Sequence, residues 1–162
     1  MISFKLTEEN DFPKIVELYN YFVLNTTATF HLQPLGHDEM RKALPLNHSI
    51  YRTFTIYYDG QFCGYCYLGN YRPRQAYDRT AEITVYLKPD FHHKGIGRKT
   101  LTFLEGEAKK ANIKNLLGVI TFENTASIEL FEKMTYSKVA HLKNIGEKFG
   151  RILDVTIFQK EI

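Results

Sequence analysis

The segment 92–97, HHKGIG, follows an apolar stretch typical of a strand and precedes an amphipathic stretch typical of a helix. Two glycines separated by one residue allow a sharp turn in which several backbone N–H groups point the same way. The positive end of the following helix lies at the same place, and Lys94, Arg98 and Lys99 add charge around it. The segment therefore predicts a cradle for a phosphate or pyrophosphate. Because it has neither the GxGxxG nor the GKS/T pattern, a tight turn without a ligand is the alternative.

The pattern of apolar residues predicts one domain, residues 1–162, in which helices pack on a mixed α/β sheet. Strands are predicted at residues 2–6, 54–58, 62–68, 80–87, 116–122, 139–142 and 152–158. Helices are predicted at residues 12–22, 38–44, 97–111 and 126–134. Asp11 is the expected N-cap of the first helix, and Pro13 lies in its first turn.

The charge and hydropathy of the chain limit its partners. A formal net charge of +3 is too small to argue for binding to nucleic acid or to a membrane surface. No stretch has the pattern of a signal peptide, and no apolar run is long enough to span a bilayer. We therefore expect a cytoplasmic protein that has neither nucleic acid nor a membrane as a partner.

The strand at 80–87 presents a carboxylate shortly before the glycine segment. Alternation along a strand puts Glu82 and Tyr86 on one face. A partly desolvated Glu82 has a raised pKa and can take a proton, directly or through water. The alternative is a solvated glutamate, or one paired with Arg74 or Arg79.

Cysteine and histidine pairs give weaker signals. Cys63 and Cys66 form a CxxC pattern inside a predicted strand. Residues three apart on a strand point to opposite faces, so we expect two core or edge thiols that form neither a zinc half-site nor a redox pair. His92 and His93 have no carboxylate cluster nearby in the sequence, so we expect them to be solvated or to face the phosphate, and we expect no metal site.

Several stretches together resemble the GNAT superfamily of N-acetyltransferases, and most closely its phosphinothricin acetyltransferase-like group. They are residues 28–30 (ATF), 71–78 (YRPRQAYD), 80–82 (TAE), 84–87 (TVYL) followed by 92–97, 123–128 (ENTASI) and 148–151 (KFGR). The resemblance covers nearly the whole chain. It implies a homodimer and a mostly antiparallel central sheet of about six to seven strands flanked by helices.

The resemblance implies acetyl-CoA as the cosubstrate. Gly95 and Gly97 would hold the pyrophosphate by backbone N–H groups, and the backbone of Val85 and Leu87 would pair with the pantetheine arm. Asn124 would contact the cofactor from the end of the next strand. The implied cofactor-binding residues are Val85, Tyr86, Leu87, His92, His93, Lys94, Gly95, Ile96, Gly97, Arg98, Asn124 and Ser127.

The resemblance also implies the chemistry. Glu82 would be the general base for the substrate ammonium, and Tyr86, on the same face, would act in catalysis or only pack against the substrate. The implied substrate-binding residues are Phe30, Arg74, Tyr77, Glu82 and Phe149. The expected reaction is direct acetyl transfer in a ternary complex to the primary amine of a small amino-acid-like acceptor, of the phosphinothricin or methionine sulfone/sulfoximine type.

Departures from the family pattern leave alternatives open. His92 stands where the superfamily usually has Gln or Arg, and Phe149 stands where phosphinothricin acetyltransferases often have histidine. Thr135 stands where a glycine usually ends the last helix, so we expect it in the left-handed region at some strain. One alternative is a CoA-binding sensor without turnover. Another is an acetyltransferase for peptide or protein N-termini.

Overall fold

A computed structural model describes all residues, 1–162, and contains one seven-stranded sheet. The strands are β1 Ile2–Leu6, β2 Thr53–Tyr58, β3 Gln61–Asn70, β4 Thr80–Leu87, β5 Asn115–Thr121, β6 Ser137–Lys148 and β7 Arg151–Glu161. Their order in the sheet is β1-β2-β3-β4-β5-β7-β6. Every neighbouring pair is antiparallel except β4 and β5, which are parallel. The predicted mixed, mostly antiparallel sheet is confirmed.

Four helices cover the two faces of the sheet. They are α1 Phe12–Asn25, α2 His37–Ala43, α3 Ile96–Lys110 and α4 Thr125–Lys133. Leu101, Leu104 and Ala108 of α3 are completely buried in the larger core cluster, on one face of the sheet. The apolar stripe of α1 lies in a second cluster with Tyr65. None of the helices is both long and apolar enough to cross a membrane.

Asp11 is the N-cap residue of α1 and Pro13 lies in its first turn, as predicted. The Asp11 side chain makes no capping bond, because its carboxylate accepts from the Glu8 N–H at 2.9 Å and pairs with Lys14 at 2.7 Å. The bounds predicted for one strand are wrong. The strand predicted at 139–142 is the middle of a twelve-residue strand. Register shifts after Lys138 and Leu142 break the alternation on which the sequence prediction depended.

The two cysteines lie on the same side of β3, so the expectation of opposite faces is also wrong. Ile56 pairs with Gly64 and Tyr57 pairs with Phe62, which leaves Cys63 as the extra residue of a β-bulge. The bulge turns Cys63 into the core cluster that also contains Cys66. Both thiols are free and buried, as expected of small core residues.

Thr135 adopts the left-handed conformation that the sequence predicts, with a φ of 64°. Its N–H donates to the Glu132 carbonyl at 2.9 Å, and the N–H of Tyr136 donates to the Phe131 carbonyl at 3.0 Å. These bonds satisfy the last carbonyls of α4. Although threonine rarely adopts a positive φ, Thr135 therefore ends α4 with the terminal hydrogen bonds of the helix intact.

The central strands β4 and β5 are paired over only part of their length. The pairing joins residues 80–82 to residues 115–117 and ends there. Beyond Glu82, β4 keeps its partner β3 on one side and has none on the other. The sheet is therefore open between the carboxyl ends of β4 and β5, directly before the glycine segment.

Candidate active site

Backbone groups of β4 point into the opening between β4 and β5. The N–H of Lys88 donates to the Cys63 carbonyl of β3 at 2.8 Å. Because backbone groups alternate in direction along a strand, those of Val85 and Leu87 point away from β3. The Leu87 carbonyl accepts from His92 Nε2 at 3.0 Å, in agreement with that direction. The opening therefore offers the donors and acceptors with which an extended chain could pair.

The glycine segment presents free backbone donors. The N–H groups of residues 93–98 donate to no acceptor within the chain. His93 and Gly95 have φ values of 60° and 73°, and Gly95 is the N-cap residue of α3. Consecutive free N–H groups in such a turn, at a helix N-terminus, form an anion-binding concavity. The segment fits the pyrophosphate of the implied cofactor.

The two glycines act differently. A Cβ on Gly95 would meet no atom within 4 Å, so only its backbone conformation calls for glycine. Gly97 lies inside α3, and a Cβ there would approach Leu130 Cδ2 of α4 at 2.9 Å. Gly97 therefore permits the close approach of α3 to α4. Ile96 is 1% exposed and has only its backbone to offer a ligand.

Charged side chains surround the segment. Lys94 and Arg98 are exposed. The Lys94 ammonium lies 4.8 Å from the centroid of the Phe91 ring, a cation–π distance. Both residues belong to the run of free N–H groups, so their positive charge adds to the attraction for an anion.

Asn124 caps the helix that follows β5. Its Oδ1 accepts from the Ser127 N–H at 3.2 Å, which fixes the side chain at the start of α4. The bond occupies the amide oxygen and leaves the NH₂ group without a partner in the chain. Asn124 thus presents two donors at the end of β5, beside the opening.

Glu82 is partly buried and unpaired. Its carboxylate takes part in no ion pair, so the predicted alternative of a pair with Arg74 or Arg79 does not form. Burial raises the pKa of Glu82 above its ordinary value. A carboxylate with a raised pKa at the edge of an open site is suited to accept a proton near neutral pH.

Tyrosine rings pack against the face that carries Glu82. The Tyr86 ring lies 5.3 Å from that of Tyr65, 5.4 Å from that of Tyr19 and 5.1 Å from that of Phe22, between ring centroids. Burial raises the pKa of Tyr86 well above its ordinary value, so the phenol stays protonated. The geometry favours packing over proton transfer as the role of Tyr86.

The segment after α1 forms a wall beside this cluster. The Phe30 ring packs on Gly146 of β6, where a Cβ would come within 2.3 Å of it. The Thr29 hydroxyl bonds to the Tyr19 hydroxyl at 2.6 Å, and the Thr29 carbonyl accepts from Lys148 Nζ at 2.8 Å. No site role was predicted from the sequence for Tyr19, Thr29 or Lys148. Thr29 and Lys148 nevertheless lie in two of the stretches that carry the resemblance, 28–30 and 148–151.

The remaining predicted substrate residues lie on loops. Arg74 is exposed and forms no ion pair or side-chain hydrogen bond, and Tyr77 packs edge-on against Tyr71 with ring centroids 5.5 Å apart. Both precede the first residue of β4, the end nearer to Glu82. Phe149 is 55% exposed, at the turn between β6 and β7, with a φ of 53°. The structure does not bring Phe149 into the core of the site.

Other features of the surface lie elsewhere. A polar depression of about 460 Å³ is lined by Arg79, Lys114 and Glu161, among others, at the amino ends of β4 and β5. The glycine segment follows the opposite end of β4. No group of three His, Cys, Asp or Glu side chains is placed to hold a metal ion.

Comparison with known proteins adds an independent line of evidence. The profile of the acetyltransferase (GNAT) domain matches residues 4–157. A phosphinothricin N-acetyltransferase of Alcaligenes faecalis is 31% identical over 98% of this chain and 81% of its own length. An L-methionine sulfoximine/L-methionine sulfone acetyltransferase of Salmonella typhimurium is 29% identical over 99% and 95%. The crystal structure of a phosphinothricin acetyltransferase of Sinorhizobium meliloti in complex with acetyl-CoA is similar with a TM-score of 0.93, at 28% identity, over 99% of this chain and 88% of that one.

Proposed function

The chain belongs to the GNAT acetyltransferase family, and we propose that it acetylates the primary amine of a small amino-acid-like acceptor. The acceptor class is the one that the names of its relatives share, that of phosphinothricin and methionine sulfone or sulfoximine. The observation that carries the proposal is an unpaired, partly buried Glu82 beside the opening that leads to the glycine segment.

The residues of the opening fit acetyl-CoA. The free N–H groups of 93–98 would hold the pyrophosphate, and the backbone of Val85 and Leu87 would pair with the pantetheine arm as an added strand. The six residues from Glu82 to Leu87 are separated by five intervals and span about 17 Å, so a cofactor held along β4 would lie between the cradle and the carboxylate. When bound, acetyl-CoA supplies an acetyl thioester whose carbonyl carbon is open to attack by an amine.

Glu82 is the proposed general base. An amino acid carries its amine as an ammonium near neutral pH, and the ammonium must lose a proton before the nitrogen can attack. Glu82 accepts that proton, directly or through one water, and its raised pKa makes the carboxylate a better acceptor than a solvated one. A backbone N–H of β4 near Val85 or Leu87, one that is not paired with the pantetheine arm, would stabilise the negative charge that develops on the carbonyl oxygen.

Direct transfer is proposed because the chain has no suitable carrier nucleophile. Cys63 and Cys66 are its two cysteines. Both lie in the core, and burial raises the pKa of the Cys63 thiol to about 11. A thiol of that pKa is not a nucleophile at neutral pH.

Arg74 and Tyr77 are proposed to bind the acid group of the acceptor. The Arg74 guanidinium is exposed and free of an intramolecular partner, and its forked donors match a carboxylate or phosphinate. Phe30 would wall the same pocket, since its ring is fixed against Gly146. An acid group held near the start of β4 leaves the amine of an amino acid free to approach Glu82.

A homodimer is also proposed, in a cytoplasmic setting without nucleic acid or membrane partners. Val119 of β5 and Leu142 of β6 are 44% and 39% exposed. Both lie on the sheet face opposite α4, because the neighbouring Gly118 faces Phe131 of α4. We propose that a second copy of the chain packs against these exposed apolar side chains. Light scattering on wild type and Leu142→Glu tests it, and a monomeric wild type contradicts it.

The decisive experiment is acetyl-CoA-dependent thiol release against a panel of amines. The panel contains phosphinothricin, methionine sulfone, methionine sulfoximine, ordinary amino acids, polyamines and short peptides. Turnover on the amino-acid analogues supports the proposal. Turnover on peptides alone supports the N-terminal acetyltransferase, and acetyl-CoA binding without any turnover supports the sensor.

Glu82→Gln tests the base within the same assay. We expect kcat/KM to fall by about 10²-fold or more, the usual contribution of a positioned base, with little change in acetyl-CoA affinity. Glu132→Gln is the matched control, since Glu132 is exposed on α4. Equal rates for Glu82→Gln and wild type at every pH would remove Glu82 from the mechanism.

A further inference from the structure

Lys148 is a buried lysine without an acidic partner. It is 2% exposed and forms no ion pair. Its ammonium donates one hydrogen bond, to the Thr29 carbonyl at 2.8 Å, across 119 positions of sequence. Nζ also lies 5.1 Å from the centroid of the Phe149 ring. The hydrogen bond from Lys148 to Thr29 thus joins the end of β6 to the segment after α1.

A buried ammonium is costly to the fold. Removal of a cation from water is unfavourable unless other groups replace the lost hydration, and a carbonyl and a ring face do so only in part. A methionine of similar length would fill the same space without the charge. The main interaction that the charged group of Lys148 makes is therefore its hydrogen bond to the Thr29 carbonyl.

Thr29 joins Lys148 to the aromatic cluster behind Glu82. Its carbonyl accepts from Lys148, and its hydroxyl bonds to the Tyr19 hydroxyl at 2.6 Å. The Tyr19 ring in turn packs on Tyr86, which is on the same face of β4 as Glu82. A continuous series of contacts thus runs from β6 to the strand that carries the proposed base.

The rest of the segment is tied to the same side of the sheet. The Thr121 hydroxyl donates to the Thr27 carbonyl at 2.5 Å, and the Thr27 hydroxyl donates to Glu123 Oε1 at 2.5 Å. Phe30, the next residue after Thr29, packs on Gly146 of β6. The segment 27–30 therefore crosses from α1 to β5 and β6, and Lys148 holds it directly before Phe30.

We propose that Lys148 is a positioning residue that sets acceptor specificity by fixing Thr29 and Phe30 relative to Glu82. Lys148 does not touch the acceptor. It holds the segment whose Phe30 ring walls the pocket, and so sets the distance between that wall and the base. The inference rests on the proposed function, because the acceptor pocket is the one proposed above.

The test compares Lys148→Met with Lys143→Met, an exposed lysine of the same strand. A displacement of reacting groups by about 1 Å can cost up to about 10²-fold in rate. We expect Lys148→Met to lower kcat/KM for the acceptor by about 10- to 100-fold, chiefly through KM, with the KM for acetyl-CoA unchanged. Lys148→Arg, which retains a cationic donor, should recover part of the loss, and Lys143→Met should match wild type.

Thr29→Val is the second variant, for the case that Lys148→Met does not fold. It removes the hydroxyl bonded to Tyr19 and keeps the volume of the side chain. We expect the same rise in acceptor KM from it. A folded Lys148→Met or Thr29→Val with wild-type KM for every acceptor would overturn the proposal, as would equal rises in the KM of acceptor and acetyl-CoA.

Hydrogen exchange separates this proposal from the proposed function. Amides of residues 27–31 should exchange faster in Lys148→Met than in wild type or Lys143→Met, whether or not an acceptor is known. A wild type that acetylates no amine contradicts the proposed function and leaves this readout intact. Unchanged exchange at 27–31 in Lys148→Met overturns the positioning role itself.

Discussion

The carbonyl oxygen of Leu87 accepts a hydrogen bond from His92 Nε2 at 3.0 Å, and this bond ties the end of β4 to the start of the glycine segment. Leu87 is the last residue of β4, and His92 precedes the free N–H groups of the cradle. The bond therefore fixes the two backbone elements that would hold the two halves of CoA. A histidine in place of the usual Gln or Arg thus keeps a side-chain donor at this position.

His92→Ala tests that bond. A single hydrogen bond contributes about 0.5–1.5 kcal/mol net to stability. Because His92 is exposed, we expect His92→Ala to raise the Kd for acetyl-CoA about fivefold. His92→Gln retains a donor and should bind close to wild type. Isothermal titration with acetyl-CoA measures both. Equal affinity of His92→Ala and wild type would show that the cradle needs no such support.

Gly95→Ala isolates the backbone strain of the cradle. Since a Cβ at Gly95 meets no atom within 4 Å, the penalty comes from a φ of 73° alone. We expect a loss of about 1–2 kcal/mol in unfolding free energy, measured by denaturant titration. Gly106→Ala, within α3 and also free of neighbours, should instead stabilise by about 0.5–1 kcal/mol. Changes of the same sign in the two variants would contradict this account.

Glu82→Gln should change the pH dependence of stability as well as activity. The folded-state pKa of Glu82 is raised by burial above its ordinary value of 4.5. The stabilising contribution of the protonated form is therefore complete below the unfolded-state pKa and is lost as pH rises through the folded-state pKa. We expect the Tm of Glu82→Gln to rise relative to that of wild type as pH rises from the unfolded-state pKa through the folded-state pKa and to keep a constant excess above it, and exposed Glu132→Gln to show no such trend. A lower Tm for Glu82→Gln at pH 8 would indicate a stabilised carboxylate.

Gly146→Ala should move the acceptor wall. A Cβ at this position would lie 2.3 Å from the Phe30 ring, far inside van der Waals contact, so the ring must shift. We expect a severalfold change in the KM for the acceptor and no change in the KM for acetyl-CoA, because the cofactor residues lie on other elements. Steady-state kinetics with both substrates varied measures this. A parallel change in both KM values would contradict this prediction and would indicate that Gly146→Ala disturbs the fold as a whole.

The site residues that lie on regular elements could be predicted from the sequence, and those that depend on packing between distant segments could not. Glu82 follows from alternation along one strand, and Gly95 follows from the position of a turn before a helix. Lys148 looks like a solvated residue in a polar strand, since its burial depends on Thr29, 119 positions away. Its signal in the sequence was only its place within a family motif.

The chain's irregular strands explain the remaining differences. The bulge at Cys63 reversed one prediction, and the register shifts in β6 shortened another. A bulge changes which face a residue occupies without a change in composition or polarity. Periodicity alone therefore cannot find it.

The two thiols should be unreactive in the folded protein. Burial raises the pKa of Cys63 to about 11 and that of Cys66 well above its ordinary value, and thiolates are the reactive form. With Ellman's reagent at pH 8 we expect no reaction from native protein and reaction of both cysteines in concentrated guanidinium chloride. Cys66→Ala, with one cysteine, should halve the denatured signal and leave the native one at zero. Rapid native labelling of wild type would mean that the core beside the β3 bulge opens locally on the timescale of the assay.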